Sequence, residues 1–336
     1  MIAAVLDRQA TVGSSPLALR EVPDPSPGPG EIRVRVRACA LCRTDLHVIE
    51  GDLKPRRMPL IPGHQTVGIV DRLGAGARRF REGDRVGIAW LRHTCGRCRY
   101  CAAGRENLCE QARFTGYDED GGYAEYALAP EAYAYAIPAV FQDAEAAPLL
   151  CAGIIGYRAL QRSDVRDGGT LGIWGFGSSA HVTIQLARSR GCTVFVATRG
   201  EKHRALAREM GAAWVGDAAE AMPERVSGGI LFAPAGDLVP VALRSIDKGG
   251  TLATAGIYLS PIPGLDYERE LFYERNLRSV TANTRADGEG LLAEAAAIPI
   301  RPRVTTFPLP EVNRGLQLLA SDQLSGTGVL VFSGPR

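Results

Sequence analysis

Four cysteines in the first half of the chain have the spacing of a metal site. Cys95, Cys98, Cys101 and Cys109 are separated by two, two and seven residues. A short loop with this spacing can fold four thiolates around one tetrahedral zinc ion. Because sulfur fills all four positions, none is left for water or substrate, and the spacing predicts a structural site. Unrelated free cysteines and a zinc ribbon without enzymatic activity are the alternatives, and the second is hard to reconcile with the features that follow.

A glycine-rich turn in the second half of the chain has the chemistry of a dinucleotide site. It comprises Gly175, Phe176, Gly177, Ser178, Ser179 and Ala180. In this G-x-G-x-x-A pattern the first glycine permits a tight turn, the second lets the backbone approach a pyrophosphate, and the alanine lets a helix pack closely on a strand. The turn follows an apolar segment, residues 170–174, and opens a helical pattern, so a pyrophosphate would face a helix N-terminus.

Three further segments resemble the signature segments of one enzyme family. Residues 42–47 (CRTDLH), 62–68 (PGHQTVG) and 149–153 (LLCAG) are similar to the segments that hold the catalytic metal in zinc-containing alcohol dehydrogenases. Together with the cysteine loop and the glycine-rich turn, the resemblance to this branch of the medium-chain dehydrogenase/reductase superfamily covers essentially the whole chain.

The resemblance implies that Cys42, His64 and Cys151 bind a catalytic zinc ion. Two thiolates and one neutral imidazole leave the fourth tetrahedral position open for a substrate oxygen. An alcohol in that position becomes more acidic, and an aldehyde or ketone becomes more susceptible to hydride attack. We therefore expect two zinc ions per chain, one structural and one catalytic.

Two residues of the first segment transfer protons in the related enzymes. By resemblance, Thr44 receives the proton of the alcohol and passes it through the nicotinamide ribose to His47, which opens to solvent. A histidine suits this last step because its unperturbed pKa lies near neutrality, and Asp45 is expected to orient a metal ligand. Gln65 stands where the family usually has glutamate; we expect the three-ligand site to persist and the kinetics of ligand exchange to differ.

The residues after the second strand of the cofactor region bear on the choice between NADP and NAD. An acidic residue there would hold the ribose 2′-hydroxyl of NAD, whereas this chain has Thr198 and Arg199. A hydroxyl and a guanidinium suit a phosphate, so we expect NADP; the alternative is an NAD enzyme whose Arg199 points to solvent or stacks on adenine. Relatives that bind NAD usually have an arginine near the C-terminal strand, where this chain has none, and Arg285 is the candidate substitute for its pyrophosphate contact.

Trp90 and Leu91 precede the cysteine loop, where related enzymes have side chains that line the substrate pocket. Bulky apolar walls near the metal favour small or medium primary and secondary alcohols, and ordinary core packing is the alternative. The leading hypothesis is an alcohol:NAD(P) oxidoreductase. The alternatives are a polyol or aromatic-alcohol dehydrogenase with the same zinc ligands, and a non-enzymatic, zinc-stabilised dinucleotide-binding sensor, which would not need Thr44 and His47.

The elements that must position these residues differ between the two halves of the chain. Val34 and Val36 alternate with arginines, as in a half-exposed strand, and turns separate further short strands. After about residue 152, apolar strands alternate with helices, which predicts a parallel, doubly wound sheet. The resemblance implies an α/β protein with a β-rich, GroES-like catalytic domain (1–152 and 295–336) and a Rossmann cofactor domain (153–294).

The composition excludes several other classes of protein. The 336 residues carry a formal net charge of +2, which gives no electrostatic basis for binding nucleic acid or an anionic membrane. No uninterrupted apolar run is long enough for a membrane helix, and the N-terminus lacks the features of a secretory signal. Eight cysteines then favour metal binding over disulfides, and the cytoplasm is the expected location. Small-molecule alcohols and aldehydes are the expected partners, and the resemblance suggests a homodimer or homotetramer.

Overall fold

The computed structural model describes residues 1–298 and 300–332, and the chain divides into two compact units. The first unit is Met1–Cys151 with Ala282–Arg336, and the second is Ala152–Thr281. Within the described residues, no helix combines the length and the apolar character needed to cross a bilayer.

The return of the chain to the first unit comes earlier than the sequence analysis placed it, at Ala282 and not near residue 295. The helix that follows, Arg285–Ala297, belongs to the first unit. Arg285 is paired with Glu106, and a side chain on Gly288 would collide with the ring of Tyr135. These contacts are between residues distant in sequence, and no local pattern marks them.

The first unit is rich in β structure. Its elements are β1 (Ile2–Leu6), β2 (Leu17–Glu21), β3 (Glu31–Ala40), α1 (Arg43–Glu50), β4 (Thr66–Leu73), β5 (Arg85–Ile88), β6 (Leu91–His93), α2 (Arg99–Ala102), β7 (Arg113–Phe114), β8 (Tyr126–Pro130), β9 (Ala134–Ala136), α3 (Asp143–Ala146) and, after the second unit, α8 (Arg285–Ala297), β16 (Val304–Pro308), α9 (Val312–Ala320) and β17 (Thr327–Val331). The largest sheet has the order β16-β17-β3-β4-β5-β9, with β8 also paired to β3. The pairs β1-β2 and β6-β7 form two small sheets.

The central strand β3 carries the core of this sheet. Val34 and Val36 are buried, as their alternation predicts. Arg33 is also buried, at 7% exposed, because its Nε and Nη2 donate to the two carboxylate oxygens of Asp71 at 3.0 and 2.7 Å. A buried charge with a bidentate partner can occupy a core position that the sequence pattern assigns to solvent.

The second unit alternates strands and helices. Its elements are α4 (Ala152–Arg162), β10 (Thr170–Trp174), α5 (Ser178–Ser189), β11 (Thr193–Ala197), α6 (Glu201–Glu209), β12 (Trp214–Gly216), β13 (Val226–Leu231), α7 (Leu238–Ser245), β14 (Ile246–Thr254) and β15 (Asn276–Ser279). All its strand pairs are parallel, in the order β12-β11-β10-β13-β14-β15. The strand order reverses at β10, and ligands of such sheets bind where strands end at this switch point. The two units confirm the predicted fold class.

Candidate active site

The helix α1 holds Cys42 at its N-terminus. Cys42 has an extended backbone (φ −130°, ψ 153°), and its sulfur accepts the Thr44 N–H at 3.4 Å. The Asp45 carboxylate in turn accepts the main-chain N–H of Cys42 at 2.8 Å, which completes a capping box. The positive end of the helix dipole favours a thiolate at this position.

Three residues that are distant in sequence come together at this cap. Possible ligand atoms of Cys42, His64 and Cys151 lie within 4.8 Å of one another. Cys42 precedes α1, His64 precedes β4, and Cys151 ends the first segment of the first unit. The structure thus brings together the three residues that the resemblance implies as ligands of the catalytic zinc.

One ring nitrogen of His64 is free to bind a metal ion. His64 is fully buried, and its Nδ1 lies 2.9 Å from Asp45 Oδ1. Its Nε2 is buried and has no hydrogen-bond partner among the described residues. A buried polar atom without a partner is costly unless something binds it. Two sulfurs and one imidazole nitrogen are ligands that zinc prefers, so Cys42, Cys151 and His64 fit a zinc ion.

The charges in this cluster depend on one another. Hydrogen bonding from Cys151, together with the nearby charge of His64, holds the pKa of Cys42 well below its usual range. Burial by itself lowers the pKa of His64, but Asp45 and Cys42 raise it to about 10. Hydrogen bonding to Cys42 and burial raise the pKa of Cys151. Metal binding at this cluster therefore displaces protons from His64 and Cys151.

Thr44 and His47 follow Cys42 on α1, one helical turn apart. Thr44 is 8% exposed, and its Oγ1 lies 3.5 Å from Cys42 Sγ, so a hydroxyl sits beside the candidate metal ligands. The His47 side chain is partly exposed, and its Nδ1 lies 2.7 Å from Asp52 Oδ2. Asp52 was not among the residues predicted from the sequence. The available signal was a carboxylate directly after Gly51, whose left-handed conformation (φ 104°) ends the helix and turns the chain.

The four cysteines of the loop also converge. Their sulfurs lie within 4.8 Å of one another, with 3.5 Å between those of Cys98 and Cys101. The main-chain N–H of Cys95 donates to Cys109 Sγ, and that of Cys98 donates to Cys95 Sγ, each at 3.4 Å. Hydrogen bonds from the backbone of Arg97 and Cys98 lower the pKa of Cys95 to about 6. The loop is arranged for thiolates and fits a closed zinc site.

Arg285 is held beside this cysteine loop. Its Nε and Nη2 donate to the two carboxylate oxygens of Glu106, both at 2.9 Å, and its guanidinium lies 4.8 Å from the ring centre of Tyr133. Glu106 lies between the third and fourth cysteines of the loop. Because a bidentate carboxylate occupies its planar fork, Arg285 braces α8 against the loop. The guanidinium that the sequence offers for a pyrophosphate contact is thus paired with Glu106 among the described residues.

Trp90 and Leu91, predicted together as pocket residues, have different surroundings. Trp90 is half-buried; its ring meets His64 edge-on at 4.8 Å and stacks on Phe114 at 4.9 Å. Leu91 is 1% exposed and packs with Cys109 and other apolar residues under the cysteine loop. Successive residues of an extended chain point to opposite sides, so only Trp90 faces the candidate metal centre and Leu91 is a core residue.

The glycine-rich turn follows β10 and leads into α5. Gly175 has φ 87°, and a Cβ there would lie 2.8 Å from Ala233 N, so the position requires glycine. A Cβ on Gly177 would meet no atom within 4 Å. Phe176 N donates to Thr198 Oγ1 at 3.2 Å, and Ser178 begins the helix. An open approach at the second glycine, in front of a helix N-terminus, fits the pyrophosphate of a dinucleotide.

Thr198 and Arg199 differ in what they can do at the end of β11. Thr198 is 4% exposed, and its hydroxyl supports the glycine-rich turn. Arg199 is exposed, and its guanidinium has no partner in the described part of the chain. Arg204 and Arg208, on the helix that follows, are both paired with Glu201. Among the described residues, Arg199 is thus a cation without a partner. It follows β11, the strand paired with β10, and the glycine-rich turn follows β10.

Two family models match the two parts of the chain. The model of the alcohol dehydrogenase GroES-like domain matches residues 28–139. The model of the zinc-binding dehydrogenases matches residues 180–297. Together they cover more than half of the chain.

Relatives are similar over most of the chain. A protein of Mycobacterium tuberculosis (strain CDC 1551 / Oshkosh), named as a probable alcohol dehydrogenase, is 51% identical over 300 residues, which cover 88% of this chain and 87% of the relative. An alcohol dehydrogenase of Geobacillus stearothermophilus is 36% identical over 325 residues, which cover 94% of this chain and 96% of the relative.

Solved structures share the fold over nearly the full length. A thermostable alcohol dehydrogenase from Pyrobaculum aerophilum with bound cobalt and zinc has a TM-score of 0.89 at 26% identity and covers 99% of each chain. Acetophenone reductase from Geotrichum candidum, in complex with NAD, has a TM-score of 0.87 at 25% identity and covers 98% of this chain and 97% of its own. A protein assigned as a zinc-binding dehydrogenase from Sinorhizobium meliloti, bound to NADP, has a TM-score of 0.85 at 27% identity and covers 98% of this chain and 99% of its own.

Proposed function

The chain belongs to the zinc-binding alcohol dehydrogenase family, and we propose that it interconverts primary or secondary alcohols with aldehydes or ketones by hydride transfer to or from a nicotinamide cofactor. The observation that carries the proposal is the buried cluster of Cys42, His64 and Cys151, with a His64 Nε2 that has no partner among the described residues. Three protein ligands leave one tetrahedral position for a substrate oxygen, which is the arrangement of a catalytic rather than a structural site.

Each residue around the cluster has a separate task in this proposal. Zinc supplies Lewis acidity that polarises the alcohol or carbonyl oxygen, and the nicotinamide accepts or supplies the hydride. The Thr44 hydroxyl, beside Cys42 Sγ, is placed to take the proton of the alcohol. His47, partly exposed on the same helix, exchanges that proton with solvent, and Asp52 orients its ring through Nδ1.

The alternatives raised by the sequence are not favoured. A non-enzymatic sensor would not need Thr44 and His47 beside an open three-ligand cluster, and the relatives are named as alcohol dehydrogenases. No specific observation points to a polyol: the ring of Trp90 lies against His64, and Phe114 stacks on Trp90. These rings support small or medium apolar alcohols as substrates.

Metal content and hydride transfer together test the function. We propose that the chain holds about two zinc ions, one in each cysteine-containing cluster. Elemental analysis of the purified protein should give this content, and an alcohol panel should produce nicotinamide absorbance. One zinc ion and no turnover over a broad panel would favour the sensor. None of the eight cysteines is in a disulfide, which supports a reducing, cytoplasmic location.

We propose NADP as the preferred cofactor, with Arg199 as the residue that binds its 2′-phosphate. A charge-assisted hydrogen bond contributes about 1.5–3 kcal/mol, so Arg199→Ala should raise the KM for NADP about 10–100-fold and change the KM for NAD little. The control is Arg208→Ala, which removes a cation already paired with Glu201. Steady-state kinetics with both cofactors make the measurement, and a strong preference of the unmodified protein for NAD would contradict the proposal.

We propose a homodimer or homotetramer, and the second unit offers a surface for it. Tyr267, Phe272 and Tyr273 are 66, 55 and 44% exposed and contact one another. An exposed apolar cluster beside the edge strand β15 favours association. Light scattering should give a mass of two or four chains, and Phe272→Asp should shift it toward the 35.9 kDa of one chain. A monomeric unmodified protein would contradict the proposal.

A further inference from the structure

A buried tyrosine, Tyr123, lies behind the candidate metal ligands. We propose that Tyr123 is a positioning residue of the metal centre: its hydroxyl fixes the Asp45 carboxylate, and this one carboxylate holds both His64 and Cys42. The inference rests on the proposed function only in taking zinc as the metal of the Cys42–His64–Cys151 cluster.

The Asp45 carboxylate, 1% exposed, connects two of the three ligands. Oδ1 lies 2.9 Å from His64 Nδ1. Oδ2 accepts the main-chain N–H of Cys42 at 2.8 Å and the Tyr123 hydroxyl at 2.7 Å. Both oxygens of the Asp45 carboxylate therefore have hydrogen-bond partners. Among the described residues, the Tyr123 hydroxyl is the side-chain donor to Oδ2, the oxygen that does not contact His64 Nδ1.

Tyr123 also contacts the segment that carries His64. Its N–H donates to the Pro62 carbonyl at 3.0 Å, and its ring lies so close to Gly63 that a Cβ there would come within 2.4 Å of Tyr123 Cδ1. Gly63 has φ 97°, a conformation that favours glycine. One fully buried side chain thus fixes the backbone just before His64 and, through its hydroxyl, the carboxylate that orients the His64 ring.

Hydrogen-bond donors surround the Asp45 carboxylate. Burial, reinforced by Asp45, raises the pKa of Tyr123 well above its usual value, so the hydroxyl keeps its proton and donates it. Nδ1–H of His64 also donates to Asp45, which leaves Nε2 as the metal-binding atom. Without the hydroxyl, the carboxylate loses one of the contacts that fix its rotation, and the His64 ring is held less firmly.

Tyr123→Phe removes only the hydroxyl, and Tyr135→Phe is the matched control. Tyr135 is also buried, at 2% exposed, and packs against a glycine, since a Cβ on Gly288 would lie 2.4 Å from its Cε1. The probe is cobalt(II) substituted for zinc in the full-length protein. The part of the visible spectrum that is absent from His64→Ala protein reports the Cys42–His64–Cys151 cluster.

We expect Tyr123→Phe to change this spectrum and to speed cobalt loss to a chelator about tenfold, at the lower end of the 10–100-fold range for residues that orient metal ligands. Tyr135→Phe should change neither. In an Asp45→Asn background, Tyr123→Phe should add little, because the tyrosine acts through that carboxylate.

An unchanged spectrum and an unchanged rate of metal loss in folded Tyr123→Phe protein would overturn the inference. If that variant does not fold, Tyr123→Leu, which carries no hydrogen-bond donor and adds no volume at a fully buried position, replaces it with the same expected spectral change. These readouts do not depend on turnover. An unmodified protein that binds cobalt at this cluster but oxidises no alcohol would refute the proposed function and leave the role of Tyr123 intact.

Discussion

Replacement of His64 by alanine is expected to remove one of about two zinc ions per chain and to lower kcat about 1000-fold or more. His64 supplies the one nitrogen of a three-ligand cluster, and its Nε2 has no other partner among the described residues. The remaining sulfurs of Cys42 and Cys151 cannot hold a tetrahedral ion by themselves. A Lewis acid contributes several kcal/mol to stabilising charge on the substrate oxygen, and each 1.36 kcal/mol is a factor of ten in rate.

Elemental analysis and steady-state kinetics on the same preparation measure this effect. His93→Ala is the control, because His93 is an exposed histidine of the same unit and belongs to neither metal cluster. Circular dichroism shows whether the His64 variant is folded. If folded His64→Ala protein keeps both zinc ions and most of its activity, the assignment of the catalytic metal centre is wrong.

Replacement of Cys101 by serine is expected to release the other zinc ion and to lower the free energy of unfolding by about 4 kcal/mol, as for other losses of a structural metal. The cysteine loop has little apolar core of its own: Leu91, Cys109, Ala112 and Tyr133 form its buried cluster. The metal must therefore supply much of what holds the loop. In a protein of this size, 4 kcal/mol corresponds to a fall in Tm of roughly 6 °C.

Calorimetry and zinc content test this second effect. Cys192→Ser is the matched control, because Cys192 is a buried free thiol of the second unit and lies in neither metal cluster. Its replacement should leave the zinc content unchanged and shift Tm little. Equal Tm values and equal zinc contents for the two variants would show that the loop needs no metal.

The sites whose residues are neighbours in the chain could be predicted from the sequence. The cysteine loop converges as its spacing predicts, and the glycine-rich turn follows β10 and opens α5. In both cases the chemistry is set by residues a few positions apart, so local backbone geometry is sufficient to bring them together. The resemblance to known enzymes added Cys42, His64 and Cys151, which no spacing rule connects.

Two residues singled out by the sequence have surroundings that packing decides. Arg285 is paired with Glu106 and braces the cysteine loop, and Leu91 lies under that loop instead of lining a pocket. A guanidinium binds whichever carboxylate the fold brings to it, and a leucine next to a pocket residue can point to the opposite side of the chain. The neighbouring residues in the sequence predict neither the pairing of Arg285 nor the burial of Leu91.

The fold class and the convergence of the cysteine loop could be predicted from local patterns, because strand and helix periodicity, cysteine spacing and glycine turns act over short distances. The family and the set of Cys42, His64 and Cys151 came from the resemblance to known enzymes. The contacts that hold the site side chains in place depend on the tertiary structure. Asp52 meets His47 around a helix end, and Tyr123 meets Asp45 from a segment 78 residues away along the chain. A hydrogen bond across such a separation forms only when the whole sheet and its loops are packed, and its geometry is a property of the folded molecule.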